Sequence, residues 1–141
     1  MKTRIALITA IVLMAIQFTF ALEPAMKFAT EEQKIAFATT NLLSALRSNN
    51  TGLIESAMRI TAQMKMRYPT VNVSELINAM NKVWQKQPSG STRYKAYIAM
   101  SICENPELYA NEDSIVTAND ENFFRAASNY MNQHLLSAHL K

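Results

Sequence analysis

The sequence predicts an all-α domain, with antiparallel helix pairs in a short right-handed α-solenoid-like stack of about five helices, closed by a C-terminal helix. Three observations predict it. Glycine is nearly absent, with 2 in 141 residues, and proline is scarce at 4, so tight turns between short strands have little to build them. Ala, Leu, Met and Gln abound, and these are good helix formers. Apolar residues recur three and four positions apart, and each such run ends at a Gly, Pro or Asn cluster.

The first 21 residues stand apart. Lys2 and Arg4 precede an uncharged apolar run, Ile5 to Ile16, and Thr19-Phe20-Ala21 offers small residues at the positions that precede a cleavage site. This pattern reads as a secretory signal peptide cleaved before Leu22, with a retained N-terminal anchor as the alternative. The apolar run is shorter than the ~20 residues that span a bilayer, so no stable membrane span is expected after cleavage. Residues 22–141 then form a single exported helical domain, periplasmic or extracellular. Fourteen Lys and Arg stand against eleven Asp and Glu, and removal of Lys2 and Arg4 with the leader leaves a net of +1. Such a charge gives no case for nucleic acid as a partner.

Helix one is expected to start at Thr30, where Thr30-Glu31-Glu32-Gln33 has the form of a capping box. Ile35, Leu42, Leu43 and Leu46 make its apolar stripe, and Ser48 to Gly52 stop it. Helix two follows, capped by Asn50, with a stripe of Leu53, Ile54, Ala57, Ile60, Thr61 and Met64. Tyr68-Pro69 ends it, because the residue before proline is pushed out of the α region. Helix three is expected to be capped by Asn72, with Val71 stapled onto Leu76. Its stripe of Leu76, Ile77, Met80 and Val83 continues to Trp84, which is expected to be buried. Helix four begins near Ser91, carries Tyr94, Tyr97, Ile98, Ser101 and Ile102 inward, and stops at Asn105-Pro106. Residues 106–118 form an acidic segment pinned by Leu108, Tyr109, Ile115 and Val116. Helix five runs from about Asn119 to His139 with Phe123, Phe124, Ala127, Tyr130, Met131 and Leu135 on one face.

The stretch Leu42 to Ala57 resembles a HEAT repeat: an apolar first helix, a polar Asn-rich turn, then a second helix that opens on Gly-Leu-Ile-Glu-Ser-Ala. Weak internal similarity extends the resemblance over residues 31–104, where Leu43 to Leu46 matches Ile77 to Met80. The resemblance implies two helix pairs whose second helices line one surface. A solenoid usually needs three repeats, so helix five and the loop before it must close the open end.

Motifs for chemistry are sparse. His134 and His139 are the two histidines, and a spacing of five sets them about 140° apart on a helix, unlike the i, i+4 pairs that bind zinc. Met64 and Met66 fall on different sides of their helix and could not share a copper ion; Met58 joins them as core filler. Cys103 is the only cysteine and sits in an apolar run, which suits a buried thiol. Asn49 and Asn72 each head an Asn-x-Ser/Thr sequon, but both also lie where turns and helix caps want Asn. The two glycines could not build a phosphate loop, and no nucleophile motif is present. No cofactor, metal site or catalytic residue is expected, and an enzyme is not the expected class.

Charge is patterned instead. Arg59, Lys65, Arg67, Lys82, Lys86, Arg93 and Lys95 face the single acid Glu75 between positions 59 and 95, whereas residues 104–121 carry six acids and no base. By the HEAT resemblance, Arg59, Arg93 and Lys95 lie on the second helices and form the expected interaction surface, for another protein or an acidic surface polymer. The alternative function is a small-ligand or metal carrier with an interhelical pocket near Trp84 and the Tyr94–Tyr97 pair.

Overall fold

A computed structural model describes residues 30–134, apart from the side chains of Asp120 and Glu121. The expected leader and cleavage site, and Leu135 and His139, lie outside the described residues. Lys34–Lys141 form one compact unit, and residues 30–33 fall in a separate N-terminal unit. The described elements are all helical: α1 Glu31–Leu46, α2 Thr51–Arg67, α3 Ser74–Lys86, α4 Gly90–Glu104, a 3₁₀ turn Pro106–Leu108, α5 Asp113–Val116 and α6 Asp120–His134. The fold is an all-α helix stack, with five helices of seven residues or more. Its hub is α4, which packs against both α2 and α3, while α6 packs on α2, α4 and α5.

Local chemistry sets the helix starts. The Thr30 hydroxyl accepts from the Gln33 amide at 3.3 Å, and its hydrogen bond to Glu32 holds that carboxyl below its ordinary pKa. Asn50 Oδ1 accepts from the Leu53 amide at 3.1 Å, which caps α2. Ser89 Oγ caps α4 by accepting from the Thr92 amide at 3.3 Å. Asn119 Oδ1 does the same for the Asn122 amide at 3.2 Å. Each satisfies a donor that the first helical turn leaves open. The start of α3 differs from expectation by one residue. Asn72 Oδ1 accepts from the Ser74 amide at 2.9 Å and the Ser74 hydroxyl at 2.7 Å, so Asn72 makes an Asx turn. Val73 takes the cap position without a side-chain bond; it is buried, so packing holds this end where a polar cap does not.

The core follows strict helical spacing, and it corrects several stripes. On α1, Leu42 and Leu46 are buried and Ile35 and Leu43 are half-buried. On α2 the buried series is Ile54, Ala57, Met58, Thr61 and Ala62, an uninterrupted i, i+3, i+4, i+7, i+8 pattern. Leu53 and Ile60 precede members of that series by one position, about 100° round the helix, and are exposed rather than buried. Thr61 enters the core because its hydroxyl donates to the Ala57 carbonyl at 2.8 Å. On α3, Leu76, Ala79, Met80 and Val83 are buried, but Trp84 is 46% exposed. Trp84 ends the stripe in the last turn, where Val83 already fills the buried side, so the indole stays outside.

Helix α4 shows the largest departure. Tyr94 and Tyr97, expected inward, are each 48% exposed. The buried positions are Thr92, Ala96, Ile98, Ala99, Ile102 and Cys103. A helix pressed between two neighbours needs small side chains at its closest approach, and Ala96 and Ala99 supply them. In the acidic segment Tyr109 and Ile115 are fully buried anchors, whereas Leu108 and Val116 face outward. On α6, Phe123, Phe124, Ala127 and Met131 are buried as expected, with Phe123 and Phe124 edge-on at 5.0 Å, and Tyr130 is half-buried.

Candidate functional site

The three residues expected to form an interaction surface have different fates. Lys95 turns toward α2: its ammonium lies 2.6 Å from Glu55 Oε2 and 5.6 Å from the centre of the Phe124 ring. The Thr92 hydroxyl donates to the other oxygen, Glu55 Oε1, at 2.9 Å. Glu55 therefore bridges α2 to α4 through two partners one turn apart. Arg59, one turn along α2, is half-buried and donates to Gln63 Oε1 at 2.5 Å. The Gln63 amide group in turn donates to the carbonyls of Ile115, Val116 and Ala118 at 3.0–3.4 Å. This chain of bonds ties the acidic segment to α2.

Arg93 remains outside. It is exposed, and no hydrogen bond or ion pair engages its side chain among the described residues. Tyr97, one turn further along, and Tyr94 share this outer side of α4. Their rings stack with centroids 6.5 Å apart, and the Tyr94 hydroxyl is 2.9 Å from Ser128 Oγ on α6. The hydrogen bond fixes one ring, and stacking limits the freedom of the other. The signal that could have placed these tyrosines was Ala96 and Ala99, whose phase marks the close-packed side.

A second basic locus was not singled out by sequence. Lys82 and Lys86, i and i+4 on α3, join Arg47 from the end of α1 around an open cleft of about 670 Å³. Leu46, Ala79 and Val83 supply its apolar walls, and Glu75 is its one acid. Arg47, Lys82 and Lys86 have no ion-pair partner among the described residues. Arg47 is outside the basic run counted along the chain, which is why spacing alone did not reveal the cluster. Trp84 lines neither this cleft nor a smaller hollow of about 400 Å³ along α6. The indole, expected to be buried beside a carrier pocket, is instead 46% exposed.

Other candidates have ordinary roles. Burial pushes the Cys103 thiol up to about 12; nearby Lys65 pulls it down and Glu104 raises it further. Thiolate chemistry at neutral pH is thereby closed to it. The Lys65 ammonium donates to the carbonyls of Pro69 and Val71 and braces the α2–α3 turn. Met66 is buried and Met64 half-buried. His134 stacks on Tyr130 at 4.2 Å. The Tyr109 hydroxyl is buried with no partner in hydrogen-bonding geometry. Burial raises its pKa, and the Ser101 hydroxyl offsets part of the rise. Among the described residues no three His, Cys, Asp or Glu side chains converge as a metal site, and no helix is long and apolar enough to cross a membrane. Comparison with family models, with curated proteins and with solved structures returns no match.

Proposed function

We propose that this chain is an exported, non-catalytic binding module that docks on another macromolecule through the outer face of α4. The observation that carries this reading is the exposed Arg93–Tyr94–Tyr97 face. Arg and Tyr dominate the energetics of protein interfaces, and here the two rings are already stacked, which lowers the entropy lost on binding. Export is supported by the charged, apolar and small-residue blocks of residues 1–21. The HEAT-like reading of residues 31–104 draws support from successive helices joined by short turns and from the packing of α2 on α4, the helices that would line one surface. Lys95 holds α4 against α2 through Glu55, and Arg93 and the tyrosines meet the partner.

The test is capture of native partners from an envelope or extracellular fraction, with the N-terminus of the isolated protein sequenced in the same preparation. Arg93→Glu and Tyr97→Ala should each reduce recovery of the same partner at least about tenfold, as truncation of a central interface residue does, and the N-terminus should be Leu22. Recovery untouched by both substitutions would remove the α4 face from the proposal. A cytoplasmic protein that retains residues 1–21 would remove export.

A further inference from the structure

We infer that the cleft between the end of α1 and α3 receives the acidic segment of a second copy of this chain, so that copies associate head to tail. The cleft gathers Arg47, Lys82 and Lys86 around apolar walls, with Glu75 the single acid. Three cations against one carboxylate leave the cleft net positive, so the cluster favours an acidic occupant.

The chain displays such an occupant. From position 104 to 119 there are four acids and no base. Glu104, Glu107 and Asp113 are exposed, and none has an ion-pair partner among the described residues. Leu108, directly after Glu107, is 45% exposed. Glu112 differs, because its carboxylate accepts from the Ser114 hydroxyl at 2.7 Å. The Glu104–Glu107–Leu108 corner is also held in shape: Pro106 and Tyr109 on either side are buried, and the 3₁₀ turn packs on α2 and α4.

The two surfaces belong to opposite ends of α4. Lys86 closes α3 just before the turn into α4, and Glu104 is the last residue of α4. The helix between them is roughly 20 Å long at 1.5 Å per residue. The buried anchors keep the corner from swinging back to its own cleft, so the pairing is intermolecular. It joins two different patches, which makes the contact heterologous, giving a ring where the rotation closes and an open chain where it does not.

Sedimentation velocity on the full chain, over a range of protein and salt concentrations, tests this directly. Wild type should associate as its concentration rises and weaken several-fold by about 0.5 M salt, where the screening length falls to roughly 4 Å. Lys82→Glu with Lys86→Glu makes both surfaces acidic; Glu104→Lys with Glu107→Lys makes both basic. Each variant alone should associate at least about tenfold more weakly than wild type. Mixed together they should associate again, because each cleft then meets a corner of opposite sign, and that recovery also shows that both variants are folded. Arg93→Glu should leave association at wild-type strength, which separates this interface from the α4 face. A wild-type chain monomeric at low salt would overturn the inference, as would a mixture that stays dissociated. A monomeric chain that binds a polyanion such as heparin through Lys82 and Lys86 would overturn it too, by assigning the cleft to an acidic polymer.

Discussion

The seam between α2 and α4 and the outer side of α3 both carry long basic side chains, and they use them in opposite ways. In the seam, Lys95 meets Glu55 at 2.6 Å, and next to it on α2 Arg59 meets Gln63 at 2.5 Å, which holds the acidic segment. On α3, Lys82 and Lys86 stand with Arg47 around an open cleft and form no ion pair among the described residues. Charge density along the chain is similar in the two regions; the difference lies in what faces each side chain. Glu55 is the decisive residue, because it places a carboxylate where Lys95 can reach it, whereas Glu75, the one acid of the cleft, pairs with neither lysine of α3 among the described residues. A basic run in a sequence therefore does not report a basic surface until the opposing helix is known.

The buried side of α4 is the costliest part of the seam to disturb. Ile98 is fully buried there, and Ile98→Ala should cost ~2–5 kcal/mol in urea unfolding. A smaller loss would mean that α4 is not the hub of the packing. The next effect is alkaline. Cys103 is held at about 12 against an ordinary 9.0, so the native state keeps the thiol proton after the unfolded chain has released its own. The thiol's contribution to stability should be flat below pH ~9 and fall between pH ~9 and ~12. Tyr109, also raised by burial, adds to the fall in the same direction. Cys103→Ala should make the alkaline loss of Tm shallower, and an unchanged slope would contradict the assignment to this thiol.

Substitutions of charge separate the two regions further. Glu55→Ala strands the half-buried Lys95 ammonium and the buried Thr92 hydroxyl, and should cost ~1–3 kcal/mol. Neutralising Arg47, Lys82 and Lys86 together to Gln should change stability by less than ~0.5 kcal/mol, or raise it slightly by relieving repulsion. Equal losses in the two experiments would erase the distinction between seam and cleft.

Much of this fold is legible in the amino-acid order itself. Rare glycine and helical spacing point to the all-α class, Asn50 and Thr30 cap where expected, and Leu76, Met80 and Val83 form the buried side of α3. The misses share a physical cause. Leu53, Ile60, Tyr94, Tyr97 and Trp84 are apolar enough to read as core, but a helix has a fixed circumference and only part of it is covered. Small residues, Ala57 and Ala62 on α2 and Ala96 and Ala99 on α4, mark the covered part better than large ones do. The site is less legible than the fold for a related reason. Arg93 and Lys95 lie two residues apart, yet Lys95 meets Glu55 and Phe124 from other helices while Arg93 is exposed, and Arg59 meets Gln63 one turn along its own helix. The Arg47–Lys82–Lys86 cluster depends on α1 ending beside α3, which no local pattern encodes.

Site-by-site lysine acylation, followed by mass spectrometry at limiting reagent on the native protein, tests most directly whether the seam consumes its charges. Lys82 and Lys86 should react first, and Lys95, paired to Glu55 and lying against Phe124, should react several-fold more slowly, with the difference vanishing in urea. A Lys95 that acylates as fast as Lys82 in the folded state would contradict the division of the basic residues into structural and free.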